Sequence, residues 1–320
     1  MSTPVTQSDT LTSSTRVADA STGGRGRRHL VSVGISACLL GLIFWIAGFG
    51  NVWEGLARFP AWAVAGMLLL LSANLLMVSF RFWRVLAHFG VALPWRIAFQ
   101  ANVAGNVAGF VVISLVGHVM GRHMVLQRFG VSPILNASLA AYERALLVLV
   151  SGGLGTLGGM YLLGHAAVTD FFMHIALAEI AIAACGGVLL SVWLGSSRFE
   201  RRLSRQVFSS SNLFRLTTIV GLTLCGQLLM LGAFMVGIVA VAHDIPVFSM
   251  FAAAAAISLA AAIPITIGGW GLREVAAVYV LGHLGVPSAD AISVSVMIGL
   301  CVTVTTLAAS PVCLTKSSHV

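Results

Sequence analysis

The sequence predicts an all-α, polytopic integral membrane protein, and three observations carry that reading. Of its 320 residues, 58% are apolar and 9% are charged, against about a quarter charged in an ordinary soluble domain, so a water-soluble fold is excluded. Apolar runs of about 20 residues recur from residue 30 to residue 313, each long enough to cross a hydrocarbon core of ~30 Å as a helix. Short segments of alternating polarity, which a transmembrane barrel needs, are absent, so backbone groups inside lipid have to be satisfied within helices.

Residues 1–29 are rich in Ser and Thr, contain Gly23-Gly24 and end with Arg25, Arg27 and Arg28, which is the composition of a disordered cytoplasmic tail. A helical transmembrane domain is expected over 30–315 and a short cytoplasmic tail over 316–320. The domain reads as about six full spans, at 30–50, 60–80, 134–163, 171–195, 213–241 and 289–313, plus two broken or re-entrant segments at 97–117 and 248–285. The first broken segment contains Asn102, Gly105, Asn106, Gly109, Ser114 and Gly117, a composition that suits a protein-buried hairpin better than a lipid-facing helix. The second has an apolar arm from Phe248 to Ile263, then Pro264 and Gly268-Gly269-Trp270-Gly271-Leu272-Arg273-Glu274, then a second arm to Leu284. Proline and glycines at membrane depth mark a broken helix; two short spans and one re-entrant hairpin give the same parity.

Charge fixes the orientation. If 97–117 enters and leaves on one side, fifteen of the eighteen basic residues fall in cytoplasmic segments, Arg81, Arg122 and the Arg198–Arg215 stretch among them, with Arg58 external and Arg144 and Arg273 inside the membrane. This is the distribution that the positive-inside rule requires, and it places both termini in the cytoplasm. The net charge of +8 therefore reports orientation and not a nucleic-acid partner, for which a continuous basic stripe would be needed.

The two broken segments resemble each other. Gly117-His-Val-Met-Gly121-Arg122 is followed by Gly130-Val131-Ser132-Pro133, and Gly268-Gly-Trp-Gly271-Leu-Arg273 by Gly285-Val286-Pro287-Ser288. The arginine precedes the Gly-Val pair by 8 residues in one and 12 in the other, a difference near one helical turn. With insertion from opposite membrane faces, the pattern is that of an inverted repeat.

The intramembrane charges are Glu143, Arg144, Glu179, Arg273 and Glu274. Each costs about 2.5–3.5 kcal/mol at a helix centre and therefore needs a polar surrounding and a partner. Neighbours on a helix point about 100° apart, so Glu143 is not expected to pair with Arg144, nor Arg273 with Glu274; the expected cross-pairs are Glu143 with Arg273 or Arg144 with Glu274. Gly155 and Gly159, in GxxxG spacing within a glycine-rich stretch, point to close helix packing. Cys38, Cys185, Cys225, Cys301 and Cys313 lie in apolar runs without CxxC spacing and read as packing residues. Ile35-Ser36-Ala37-Cys38 has the look of a lipoprotein cleavage site, yet the apolar run continues past it, unlike a processed signal. His118, His123, His165 and His283 form no HExxH or HxxxH pair, so no metal and no cofactor is implied, and no nucleophile–base constellation is evident.

Pro264-Ile-Thr-Ile-Gly268-Gly269-Trp270-Gly271-Leu272-Arg273-Glu274, with Leu281 and Gly285-Val286-Pro287 after it, resembles the P-x-x-x-G-G-x-G-x-R-E block of the lysylphosphatidylglycerol synthase/flippase transmembrane-domain family. Arg81-Phe-Trp-Arg84, Gly117 to Val131 and Tyr142-Glu143-Arg144-Ala145 are weaker matches, and the similarity covers about residues 30–313. The resemblance implies a bacterial inner-membrane protein that moves a phospholipid, or an aminoacylated or related lipid, between leaflets. One position departs: His118 stands where the family usually has an acidic residue. No synthase domain follows Lys316, so aminoacyl transfer is not expected of this chain.

The expected site is a polar groove between the repeats. Arg273 and Arg144 engage a lipid phosphate, Glu143 and Glu274 hold those arginines or meet a cationic headgroup, Gly268, Gly269 and Gly271 let backbone approach, Arg122 and His118 mark the same place in the first repeat, and Glu179 is a candidate for coupling. Membrane lipids are the expected partners. A second class of reading is a non-transporting scaffold or regulator of a lipid- or envelope-modifying enzyme, and an intramembrane enzyme ranks last.

Overall fold

The computed structural model describes residues 49–111, 114–167, 210–262 and 270–314. The two tails, nearly all of the expected span at 30–50, the span at 171–195, the Arg198–Arg205 loop, Glu179, Gly268 and Gly269 lie outside the described residues.

Every element among the described residues is helical. α1 (Phe49–Ala57) leads to α2 (Ala61–His88), α3 (Trp95–Val111), α4 (Ser114–Leu126) and α5 (Pro133–Ala167). Further on come α6 (Ser210–Val241), α7 (Val247–Ala261), α8 (Leu272–Gly282) and α9 (Ser288–Ala309), the last ending in a 3-10 turn at Ser310–Leu314. Four helices are long and apolar enough to cross a membrane, over Ala61–His88, Pro133–Gly164, Phe214–Val241 and Ser288–Cys313. They take the places of the expected spans at 60–80, 134–163, 213–241 and 289–313. α2, α7 and α9 each begin directly after a proline, Pro60, Pro246 and Pro287, whose missing N–H costs nothing at a helix start.

α3 and α4 pack on each other, as do α7 and α8. The arms have 17 and 13 residues in the first pair and 15 and 11 in the second, or about 25, 20, 22 and 16 Å at 1.5 Å per residue. Each is shorter than a ~30 Å core, as expected of the arms of a broken or re-entrant segment. The first runs from Trp95 to Leu126, beyond the expected 97–117, because its second arm is a full helix and not a short return. Its seam is tight: a Cβ on Gly121 would strike the carbonyl oxygen of Ala104, one on Gly117 that of Ala108, and one on Gly105 would lie 2.9 Å from that of His118. Only glycine allows two helix backbones so close.

Long helix, hairpin, long helix occurs twice, as α2–α5 and as α6–α9. The two copies are inverted. α2 lies against α6 with Gly66 near Val236, Leu70 near Gly232 and Asn74 near Gly226, so residue numbers rise along one helix as they fall along the other. The cross-contacts also repeat: α7 lies on α5, with Gly158 against Ala252 and Gly155 against Leu259, and α3 lies on the end of α9, where Gln100 Nε2 donates to the carbonyl oxygen of Val312 at 2.9 Å. Gly155 and Gly158 make this close helix contact, and Gly159, the other half of the expected GxxxG pair, is buried as well. The two hairpins consequently enter from opposite ends of the bundle.

A backbone motif fixes the register of the repeat. Leu-x-x-x-Gly-Val closes α2 at Leu86–Val91, the first hairpin at Leu126–Val131 and the second at Leu281–Val286. In each, the Val N–H donates to the Leu carbonyl oxygen (2.9, 3.3 and 3.1 Å) and the Gly N–H to the carbonyl three residues back (3.2, 3.2 and 3.0 Å). The glycines have φ of 79°, 74° and 81°, the left-handed C′ conformation of a Schellman turn. Counted back from that turn, Arg273 corresponds to His118 and Arg122 to Ala277. The expected alignment of Gly117–Arg122 with Gly268–Arg273 is thus displaced by one helical turn, because glycine–arginine words matched there where backbone hydrogen bonds set the register.

Candidate functional site

The two repeats carry their charges differently. In the first, Arg81 on α2, Arg122 on α4 and Glu143 on α5 form one buried cluster. Glu143 Oε1 accepts from Arg81 Nε at 3.3 Å and Nη2 at 3.2 Å, and Glu143 Oε2 accepts from Arg122 Nη1. The guanidinium of Arg122 also donates through Nη2 to Asn102 Oδ1 at 2.8 Å and lies 3.8 Å over the Phe82 ring. Asn102 in turn donates to Ser79 Oγ at 2.9 Å, and Ser79 to the Leu75 carbonyl at 2.7 Å. With Arg122 2% and Glu143 4% exposed, such charges persist because each is paired and hydrogen-bonded.

This cluster opens on a cavity of about 320 Å³ between the repeats, lined by Arg81, Arg122, Glu143 and Arg144 with Gln227 and Ser258 from the second repeat. Gln227 Nε2 donates to Ser258 Oγ at 2.7 Å. Among the described residues, three guanidiniums and one carboxylate line it, so positive charge predominates in a low-dielectric surrounding. A second cavity of about 270 Å³ adjoins it, sharing Asn74, Val78, His118 and Met230 as walls and adding Asn106, Thr305 and Thr306.

In the second repeat the charges close on themselves. Glu274 is the third residue of α8; its Oε2 accepts from the Gly271 N–H at 2.6 Å, a cap that satisfies a helix-start donor. Its Oε1 accepts from Arg273 Nε and Nη2 at 3.1 and 2.7 Å and from Ser295 Oγ at 3.0 Å. Arg273 also donates to Ser295 Oγ at 2.9 Å and stacks against Trp270. Gly299 leaves room for both: a Cβ there would strike Arg273 Nη2 and lie 2.9 Å from the Trp270 ring.

Several expectations are corrected. Neither cross-pair forms: Glu143 meets Arg81 and Arg122, not Arg273, and Glu274 meets Arg273, not Arg144. The 100° rule fails for Arg273 and Glu274 because the carboxylate folds back to cap its helix, into reach of the long arginine beside it. Arg81 and Arg122, expected among the cytoplasmic basic residues, are buried charges of the core. α2 continues two turns past the expected end at residue 80, and that continuation carries Arg81 inward. Arg144, Arg122, His118 and Glu143 do come together; Arg273, Glu274 and Gly271 sit apart and line neither cavity. Sequence reasoning missed Ser79, Gln227 and Ser258, and placed Asn102 in the buried hairpin without assigning it to the site. The signal available was polar residues recurring on apolar helices without a charge to draw attention to them. Among the described residues no group of three or more His, Cys, Asp or Glu side chains is placed to hold a metal ion.

Fold and site define a multi-pass helical membrane domain with a cationic cavity at the junction of two inverted repeats. The model of the lysylphosphatidylglycerol synthase TM region matches residues 29–310, and the chain belongs to that family, whose membrane domain accompanies lipid-modifying proteins. No curated protein shows significant similarity to the chain.

Proposed function

We propose that this protein moves an anionic phospholipid between the leaflets of a bacterial cytoplasmic membrane, and that the cavity between the repeats receives the lipid phosphate. The observation that supports this reading is the uneven charge of that cavity. Both oxygens of Glu143 are engaged by Arg81 and Arg122, so among the described residues that line the cavity the guanidinium charge exceeds the carboxylate charge. Arginine forks hydrogen-bond phosphate oxygens in pairs. The polar wall from Gln227, Ser258 and Asn74 replaces water around a headgroup, while acyl chains remain in lipid. Arg273 and Glu274 hold the second hairpin in shape on this reading and do not touch the headgroup. Membrane lipids are the partners, and no aminoacyl transfer is assigned to the chain.

Purified protein in liposomes should accelerate loss of inner-leaflet protection of an acyl-labelled phosphatidylglycerol against a membrane-impermeant quencher. Arg122→Gln should remove most of that acceleration and still fold, because Glu143 keeps Arg81. Arg144→Lys should retain part of it, having charge without the planar fork. Wild-type protein inert toward anionic lipids would overturn the reading and favour the scaffold role. For orientation, in a background with the native cysteines replaced, Arg128→Cys should be shielded from an external impermeant thiol reagent and Asp244→Cys should react; labelling of both from one side would break the inverted arrangement.

A further inference from the structure

We infer that Arg144 and Arg273 put their guanidiniums in one and the same place of the two repeats, entered from opposite sides, and that His118 is the positioning residue that aims Arg144 into the cavity; this rests on the reading of that cavity as an anion site. The register carries it. Gly130 and Val131 match Gly285 and Val286 in the Schellman turns, and the match continues, 155 residues apart, into the long helices that follow. α5 starts at Pro133 and α9 at Ser288. The Asn136 N–H donates to the Ser132 carbonyl at 3.1 Å, and the Ala291 N–H to that of Pro287 at 3.0 Å. Ser138 Oγ donates to the Ile134 carbonyl at 2.9 Å, and Ser293 Oγ to that of Ala289 at 2.8 Å. Turn, helix start, backbone bond and side-chain bond all agree on one spacing.

In that register the charged pair changes helices. Arg273 stands on α8, and facing it on α9 is Gly299, where a Cβ would strike Arg273 Nη2. The counterparts in the first repeat are His118 on α4 and Arg144 on α5. The cation has moved from the hairpin arm to the long helix, and the residue across from it has grown from a hydrogen to an imidazole. The carboxylate moves with it: Glu274 on α8 matches Val119, and Glu143 on α5 matches Ile298. A packed interhelical space is filled from one side, because two arginines would overlap there and none would leave a void. His118 and Arg144 both line the first cavity, with Ala140 in the place of Ser295. Ser295 and Glu274 close on Arg273, whereas the alanine offers Arg144 no such bond and leaves the imidazole across from it. That ring is pinned from behind, since a Cβ on Gly105 of α3 would lie 3.3 Å from its Cε1. A fixed aromatic face is a surface on which a guanidinium stacks in one orientation.

The test trades the pair. In liposomes holding the full chain and acyl-labelled phosphatidylglycerol, Arg144→Gly should slow lipid movement by about ten- to a hundredfold, the worth of a charged hydrogen bond. His118→Arg should slow it too, by crowding two guanidiniums into one place. His118→Arg with Arg144→Gly rebuilds the arrangement of Arg273 and Gly299 and should recover most of the loss. His118→Arg with Arg144→Leu carries the same charge but fills the space, and should not recover. His118→Phe, which keeps a ring, should retain more transport than His118→Ala. Thermal unfolding in detergent reads the same cycle without lipid: the glycine double variant should be more stable than the two single changes predict when added. Additive losses there, or recovery with leucine as full as with glycine, would overturn the shared place. Coupling in stability without coupling in transport, or equal transport by the phenylalanine and alanine variants, would overturn the role of His118. Wild-type protein that moves no anionic lipid while the stability cycle still couples would overturn the lipid reading and leave the shared place standing.

Discussion

The Arg122–Glu143 cluster of the first repeat and the Arg273–Glu274 cluster of the second start from the same materials and end in different states. Each places an arginine on the second hairpin arm and anchors it to the following long helix, to Glu143 on α5 or to Ser295 on α9. The first then spreads over three helices, keeps a surplus of positive charge and borders a cavity. The second balances one arginine with one carboxylate, caps its own helix and is sealed by Trp270 and Gly299. The two arginines stand one helical turn apart in the register of the repeat, so the clusters are alike in their materials and not in position: the second is closed on itself, and the first borders a cavity.

That contrast can be broken at its strongest point first. Glu274→Gln strips the counter-charge from a sealed arginine and a helix cap together, and should cost about 3–5 kcal/mol, read as loss of folded protein on heating in detergent. Glu143→Gln should cost less, since the cavity admits water or an anion to Arg81 and Arg122, and added phosphate should restore part of the loss. Equal losses, both insensitive to phosphate, would show that the two clusters do the same work. Gly299→Ala should come next, at about 1–3 kcal/mol for forcing a methyl group into Arg273 and Trp270. Gly221→Ala, with nothing within 4 Å of the added carbon, should be neutral or stabilising by up to ~1 kcal/mol. Phe82→Leu, which removes the ring under Arg122, should fall between Gly299→Ala and Gly221→Ala and weaken the first cluster by about 0.5–2 kcal/mol, again measured by thermal unfolding.

Length and hydropathy made the four long helices legible in the sequence, and glycine and asparagine content made the first hairpin so. The hairpin's full depth was not, because Ser114–Leu126 carries His118, Arg122 and His123 and reads as an interface until their partners are known. Partner choice is a property of three dimensions: Arg81 and Glu143 are 62 residues apart, and no spacing rule connects them. The family block at Gly271–Glu274 was the most legible feature, and it lies where the backbone itself is most constrained, with Gly271 at φ 101° and a carboxylate folded onto its N–H. The cavity residues sit on ordinary helices, where many side chains would fit the backbone equally well, so nothing local announces them.

The glycine seam of the first hairpin has a mechanical consequence. With Gly117 and Gly121 pressed on the backbone of Ala108 and Ala104, the two arms have no compressible layer between them and cannot slide or splay without parting main chain from main chain. The hairpin is a single stiff lever, held at its open end by the left-handed turns at Gly90 and Gly130, where a few dihedral angles can absorb rotation. Arg122 rides on that lever while Arg81 and Glu143 sit on α2 and α5, so a tilt about those two points would change the distances within the charge cluster.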